Sequence, residues 1–203
     1  KDHEARVVGV EREGRAIVHV LDQKAPKVGT KVEGRVDAKR RRAIMRHHTA
    51  VHLVNGAAQQ VLGKHVWQAG ADKTPEKARL DITHYKSITP EEVREMELVA
   101  NRAVLENLKV RVRNMTRTKA EQKFGFRIYQ GGAVPGAKLR IIHVPGYDAE
   151  ACGGVHCDYT GEAGTIRIIN TKRIQDGVVR LELIAGMRSL ERSWEKEELM
   201  EED

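Results

Sequence analysis

Three features of the sequence predict an α+β fold. Short β-rich runs separated by glycines fill residues 5–37, which predicts a small antiparallel unit. Apolar residues then recur at the 3.6-residue period of a helix from about Ala38 to Gly63, and again after Thr89. Further strand-like runs follow in the second half of the chain. We therefore expect helices packed with antiparallel sheet in two layers.

The N-terminal β-rich segment is predicted to be an incomplete small β-barrel element covering residues 1–38. Two runs flank the turn signal EREG, and a third, KVGTKVEGRVD, carries its own glycines. These runs are too few to close a barrel. The chain begins without methionine and in the middle of a pattern, so we expect it to be an excised piece of a longer protein.

Two helices are predicted to form the core of the second domain, residues 39–187. The first has an apolar stripe made of Ile44, Val51, Val54, Ala58 and Val61. The second has Thr89 as its N-cap and Pro90 at its first position, with a stripe made of Val93, Met96, Ala100 and Val104.

Shorter elements complete the prediction. Strands are expected at 109–115, 138–144, 164–170 and 178–186. A short helix is expected between an N-cap at Thr118 and a stop at Gly125. A charged helix follows at 190–203, and residues 188–203 are interpreted as the start of a linker.

Composition limits the class of protein. The chain has 203 residues, of which 40% are hydrophobic, enough for one sizeable domain and a smaller element. No apolar run reaches the roughly 18 residues of a membrane span, and no signal peptide is visible, so a cytoplasmic protein is expected. Two cysteines argue against a disulfide framework and favour metal binding or a bystander role.

Net charge favours an anionic partner. The formal charge is +7 and the pI about 9.5, and the basic runs are spread along the chain. An ordinary solvated surface explains such charge equally well. Aromatic residues make up only 4%, which leaves little material for stacking on single-stranded bases and favours contact with a nucleic-acid backbone.

Histidines in the first helix form a candidate metal site. His48 and His52 are four residues apart and project from the same side of a helix, whereas His47 has no partner at that spacing. A histidine pair of this kind also occurs by chance. A zinc-protease site is disfavoured, because Thr49 stands where that motif needs a glutamate.

A second candidate pair lies near the other end of the chain. Cys152 and His156 flank the glycines Gly153 and Gly154, which allow a tight turn. Together with the helical histidines they would make a His3Cys site for Zn²⁺. Four protein ligands are typical of a structural site, so two readings stay open: a zinc ion that ties loop to helix, and a zinc ion that takes part in hydrolysis.

Several motifs together resemble a known family. HHTAVHLVNGAAQQVLGKHVWQAG, ARLDITHY and CGGVH are similar to the signature of the alanyl-tRNA synthetase editing domain, which is shared with freestanding AlaX trans-editing proteins. The similarity covers residues 42–186, and the FRIYQGGAVPGAK insertion resembles the archaeal type.

The resemblance implies a function and a set of site residues. The implied reaction is proofreading, in which the ester of serine or glycine on the acceptor end of alanine tRNA is hydrolysed. The implied Zn²⁺ ligands are His48, His52, Cys152 and His156. The other implied site residues are Thr49, as partner of the serine hydroxyl, together with Gln68, Gly153, Gly154 and Arg180. Val155 departs from the usual CGGTH, and Cys157 is expected to be a small buried residue.

Three alternatives remain at the level of sequence. The threonyl-tRNA synthetase editing domain has the same ligand pattern, although valine rather than proline before the last histidine favours the alanyl type. A non-catalytic zinc-stabilised module that binds tRNA is the second. A zinc hydrolase for an unrelated ester or peptide is the third. No membrane or DNA partner is expected, and the oligomeric state is left open.

Overall fold

The computed structural model describes residues 4–14, 16–132 and 134–201. These form two compact units, one ending at Val36 and one beginning at Asp37. The first unit contains an antiparallel hairpin of β1 (Val7–Glu13) and β2 (Ala16–Leu21). Residues 1–3 and 15 of the predicted β element lie outside the described residues.

The third β-rich run of the first unit, predicted from KVGTKVEGRVD, forms no strand. Its valines stay exposed, with Val28, Val32 and Val36 at 106%, 69% and 63% of full exposure. Valines gain strand structure by packing on a sheet surface, and among the described residues no such surface buries these three. That part of the prediction is wrong.

The second unit confirms the predicted α+β class. Its helices are α1 (Ala38–Leu62), α2 (Pro90–Leu105), α3 (Arg117–Phe124) and α4 (Met187–Glu201). One antiparallel sheet has the order β3-β4-β9-β8, formed by Gln68–Lys73, Ala78–Thr83, Val178–Ala185 and Ile166–Gln175. A second has the order β5-β6-β7, formed by Arg111–Thr116, Lys138–Val144 and Asp148–Ala151. Short 3-10 helices lie at Phe126–Ile128 and Thr160–Ala163.

Three strands of the second unit were not predicted from the sequence. Strand β3 reads QAGADK and β7 reads DAEA, so neither carries the β-branched residues that mark a strand. Strand β4 does alternate: Ala78, Leu80 and Ile82 are buried, and the residues between them are polar. The four predicted strands are present as β5, β6, β8 and β9, with shifted ends for all except β6.

The long helix α1 begins where it was predicted, with the Asp37 side chain accepting a hydrogen bond from Arg40 N at 2.9 Å. It does not present a single apolar stripe. Every residue from His47 to Ala58 is buried, because this stretch packs against α2, against the four-stranded sheet and against β7. The middle of α1 is therefore enclosed on all sides. None of the described helices is long and apolar enough to cross a membrane.

The other helices match the sequence signals, with small shifts. Helix α2 has the predicted Thr89 cap, and Glu92 completes a capping box. Helix α3 is capped by Thr116 rather than Thr118: the Thr116 hydroxyl accepts a hydrogen bond from Lys119 N, three residues on. The helix begins one residue before Thr118, at Arg117, so Thr116 takes the N-cap position and Thr118 lies in the first turn. Helix α4 begins at Met187, and residues 202 and 203 of its predicted range lie outside the described part.

A close approach between Gly56 and Tyr147 fixes the distance between α1 and the β6–β7 turn. A Cβ atom added to Gly56 would lie 2.5 Å from the Tyr147 carbonyl oxygen. The turn leads directly into β7, which carries side chains toward α1. Glycine at position 56 therefore permits the contact between helix and strand on which the site described below depends.

We predict that Gly56→Ala destabilises the second unit by about 1–3 kcal/mol, because the new methyl group must displace backbone. Chemical denaturation followed by circular dichroism would measure this. Gly34→Ala is the control, since its methyl group would meet no atom within 4 Å. Equal unfolding free energies for the two variants would contradict the proposed close packing.

Candidate metal centre

Four side chains from distant parts of the sequence converge beside α1. His48 and His52 lie on α1, Cys152 directly follows β7, and His156 lies four residues later. The four potential ligand atoms all lie within 4.8 Å of one another. Each of these residues is at most 9% exposed. The structure thus brings together the complete predicted ligand set.

The distances within this cluster fit a tetrahedral metal site. Cys152 Sγ lies 3.3 Å from His48 Nε2 and 3.4 Å from His156 Nε2. With Zn–S near 2.3 Å and Zn–N near 2.0–2.1 Å, a tetrahedral site has N···S edges of about 3.5 Å. His52 Nε2 is buried and has no hydrogen-bond partner among the described residues, as expected for an atom that needs a metal ion.

Electrostatics in the cluster favour a thiolate. Burial alone raises the pKa of the Cys152 thiol, but hydrogen bonds from His156 and His48 outweigh it and lower the pKa to about 2. Burial lowers the pKa of His156 to about 4 and also lowers that of His48. Burial lowers the pKa of His52, but Glu150 and Asp148 outweigh it and raise that pKa well above its usual value, so metal binding at His52 must release a proton. A thiolate with imidazole nitrogens is the donor set that Zn²⁺ prefers, so these residues fit the implied metal.

Two buried carboxylates orient His52. Its Nδ1 lies 2.7 Å from Asp148 Oδ2 and 3.3 Å from Glu150 Oε2, while Asn55 Nδ2 donates to Glu150 Oε1 at 2.6 Å. A proton on Nδ1 leaves Nε2 unprotonated and directed toward the cluster. Burial is the largest cause that raises the pKa of Glu150, and the charge of Asp148 adds to it.

The ligand loop is held from outside by Arg140. Its guanidinium donates to the carbonyl oxygens of Cys152 at 2.6 Å and Gly154 at 2.9 Å. Gly154 lies against His48, because an added Cβ would approach the ring to 2.0 Å. Gly153 is exposed and a Cβ there would meet no atom within 4 Å. Gly154 therefore leaves room for the His48 imidazole, whereas Gly153 faces open space.

Sequence reasoning missed Asn55, Asp148, Glu150 and Arg140, although signals for three of them are present. Asp148, Glu150 and Cys152 alternate, so the period of a strand places them on one face. Asn55 follows His52 by three residues on a helix. Arg140 has no such signal, because only the pairing of β6 with β7 places it beside the loop.

Thr49, another predicted site residue, is 1% exposed and packs against the ligand loop. Its Oγ1 accepts a hydrogen bond from Cys157 N at 3.0 Å, next to ligand His156. Cys157 is buried, as expected. His47 is buried too, and its Nδ1 pairs with the Thr74 carbonyl oxygen at 2.7 Å.

Gln68 and Arg180 lie on opposite faces of the four-stranded sheet, because Gln68 pairs in register with Ile82, which faces the core with α1. Gln68 is the first residue of β3; it is buried, and its Oε1 has no partner among the described residues. Arg180 makes a bidentate pair with Asp81, at 2.8 and 3.0 Å. Its neighbours Val179 and Leu181 face the core with α1, so alternation places Arg180 on the opposite face of the sheet. The roles assigned to these two residues stay predictions.

Comparisons with known proteins identify related chains. The family model described as the threonyl and alanyl tRNA synthetase second additional domain matches residues 139–182. An alanine–tRNA ligase of Thermofilum pendens is 55% identical over 188 residues, which are 93% of this chain and 21% of the relative. Those of Methanopyrus kandleri and Methanocella arvoryzae are 48% and 56% identical over 202 and 177 residues, covering 100% and 87% of this chain. The chain spans about a fifth of the length of the curated relatives it matches.

We predict that Gly154→Ala weakens metal binding by roughly 10-fold or more, because the methyl group would displace the His48 ring. Competition with a chromophoric zinc chelator would measure the affinity. Gly153→Ala is the matched control in the same loop and should bind zinc like the unaltered chain. Equal affinities for both variants would show that metal binding does not depend on the close contact between Gly154 and the His48 ring.

Proposed function

We propose that this chain, which belongs to the alanyl-tRNA synthetase editing-domain family, hydrolyses the ester of a wrongly attached serine or glycine on alanine tRNA. The observation that carries the proposal is the buried His3Cys cluster next to an exposed glycine loop. In the reaction water adds to the ester carbonyl, the bond to the ribose oxygen breaks, and free amino acid and tRNA leave.

The residues of the cluster have distinct tasks in this proposal. His48, His52, Cys152 and His156 would hold Zn²⁺, which supplies Lewis-acid polarisation or positioning of the aminoacyl group. Gly154 N lies 3.4 Å from Cys152 Sγ and is directed at the thiolate. Gly153 N–H donates to no described residue, so this exposed loop amide is free to stabilise the negative oxygen of the tetrahedral intermediate.

Recognition of the serine hydroxyl is assigned to Thr49. Its Oγ1 already accepts the Cys157 N–H, which leaves its own O–H as a donor. A site that hydrogen-bonds a hydroxyl disfavours alanine, since the buried polar partner is then left unpaired. A pocket selecting alanine cannot strongly exclude smaller glycine, and steric rejection of serine is imperfect, which is why a second site is needed.

The named relatives favour the alanyl over the threonyl type. The matching family model covers both synthetases, whereas the related chains described above are all alanine–tRNA ligases. A zinc-stabilised module that binds tRNA without hydrolysing it remains the second candidate, because four protein ligands are typical of structural sites.

The test is release of amino acid from seryl-, glycyl- and alanyl-tRNA incubated with the chain. We expect seryl ester to be cleaved roughly 10-fold or more faster than alanyl ester. Removal of the metal should slow cleavage by about 100-fold or more. Circular dichroism after chelation must show an intact fold. Binding of tRNA without release of any amino acid would favour the non-catalytic module.

Thr49→Val should reduce the preference for seryl over alanyl ester, because valine keeps the shape and lacks the hydroxyl. Thr49→Ser keeps the hydroxyl and is the matched control. The ratio of the two hydrolysis rates is the measurement, since a general loss of stability would lower both rates together. An unchanged ratio in Thr49→Val would remove Thr49 from this role.

A further inference from the structure

Lys73, the last residue of β3, lies on the side of the sheet that faces the metal centre. It pairs in register with Ala78, and Ala71 pairs with Leu80; both partners are fully buried in the core. Paired residues of antiparallel strands project to the same face, so the Lys73 side chain leaves the sheet on the α1 side. It is half-buried there, at the edge of the four-stranded sheet.

A hydrogen bond between the next residue, Thr74, and helix α1 fixes the position of Lys73 relative to the ligand helix. The Thr74 carbonyl oxygen pairs with His47 Nδ1 at 2.7 Å, and His47 directly precedes ligand His48. Lys73 is near enough to His48 and Cys152 to interact with both electrostatically. Burial lowers the pKa of Lys73, and the charges of Cys152 and Glu150 partly offset this.

Lys73 has no hydrogen bond and no ion pair within 4 Å among the described residues. Nearby lysines are different: Lys77 pairs with Glu182 at 2.6 Å, and Lys86 pairs with Glu92 at 3.0 Å. A half-buried ammonium with unused donors costs free energy that an exposed lysine does not incur. Such a group beside a reaction centre indicates a binding partner that is absent from the free chain.

We propose that Lys73 binds a backbone phosphate of the single-stranded 3′ end of the RNA whose ester lies at the metal centre. The inference rests on the proposed function. In an aminoacyl-RNA the ester is neutral and the amino group carries no negative charge, so phosphodiesters are the anions within reach of this centre. An ammonium on a flexible four-carbon stem is a compact point charge suited to phosphate.

The substitution that tests this is Lys73→Met, which removes the charge and keeps the length. Binding of an unacylated RNA hairpin with a single-stranded 3′ end would be measured by fluorescence anisotropy over a range of KCl concentrations. We expect Kd to rise roughly 3- to 10-fold. The slope of log Kd against log salt should fall by about 0.7 to 0.9, the value for one lost phosphate contact.

Two variants serve as controls. Lys73→Arg keeps the charge and should retain most of the affinity. Lys119→Met removes an exposed lysine on α3. Through Ala120, this helix packs on the face of the three-stranded sheet that is turned away from the metal centre. The substitution should therefore change neither Kd nor the salt slope. Zinc affinity should be unaltered in all variants, which separates loss of an RNA contact from damage to the cluster.

Each outcome decides the proposal. An unchanged Kd and slope in Lys73→Met would overturn it, and so would a fall in kcat for seryl-tRNA with Kd and KM unchanged, which would place Lys73 in the chemical step. If Lys73→Met does not fold, Lys73→Gln replaces it. Because the hairpin carries no ester, RNA binding that depends on Lys73 would be detected even if the chain released no amino acid.

Discussion

The structure depends on four candidate ligand side chains that meet in a buried cluster beside α1. Three imidazoles and a thiol would be poorly satisfied together without a cation, since they offer lone pairs and few protons to share. His52 Nε2, buried without a partner among the described residues, shows this directly. The packing around α1 serves the same requirement: Gly56 admits the β6–β7 turn, and Gly154 admits the His48 ring.

Around this centre the polar groups are arranged in layers. Asp148 and Glu150 fix the tautomer and direction of His52, and Asn55 fixes Glu150. Arg140 holds two carbonyl oxygens of the ligand loop from the other side. A metal site supported in this way is rigid on its buried side. Gly153 and Val155 of the ligand loop are exposed, and Lys73 lies at the edge of the sheet on the α1 side.

The two faces of the four-stranded sheet have different surroundings. The inner face packs on α1 and carries Lys73 toward the ligands. The outer face carries Arg180, which is bound to Asp81 and separated from the cluster by the sheet itself. In the proposed reaction, a residue on the outer face would act only through contact with distant parts of the RNA or through the sheet. This is the physical reason why motif similarity alone is a weak guide to the role of Arg180.

The sequence by itself determined the class of fold, the two long helices and the four residues that converge in the candidate metal cluster. Helical spacing couples His48 to His52, and a glycine turn couples Cys152 to His156, so both halves of the site are local. The sequence did not predict strands β3 and β7, because their residues have low strand propensity and form strands only through their tertiary contacts. Only the tertiary structure decided that Arg140 and Lys73 lie beside the centre, because strand pairing brings together residues that no local pattern connects.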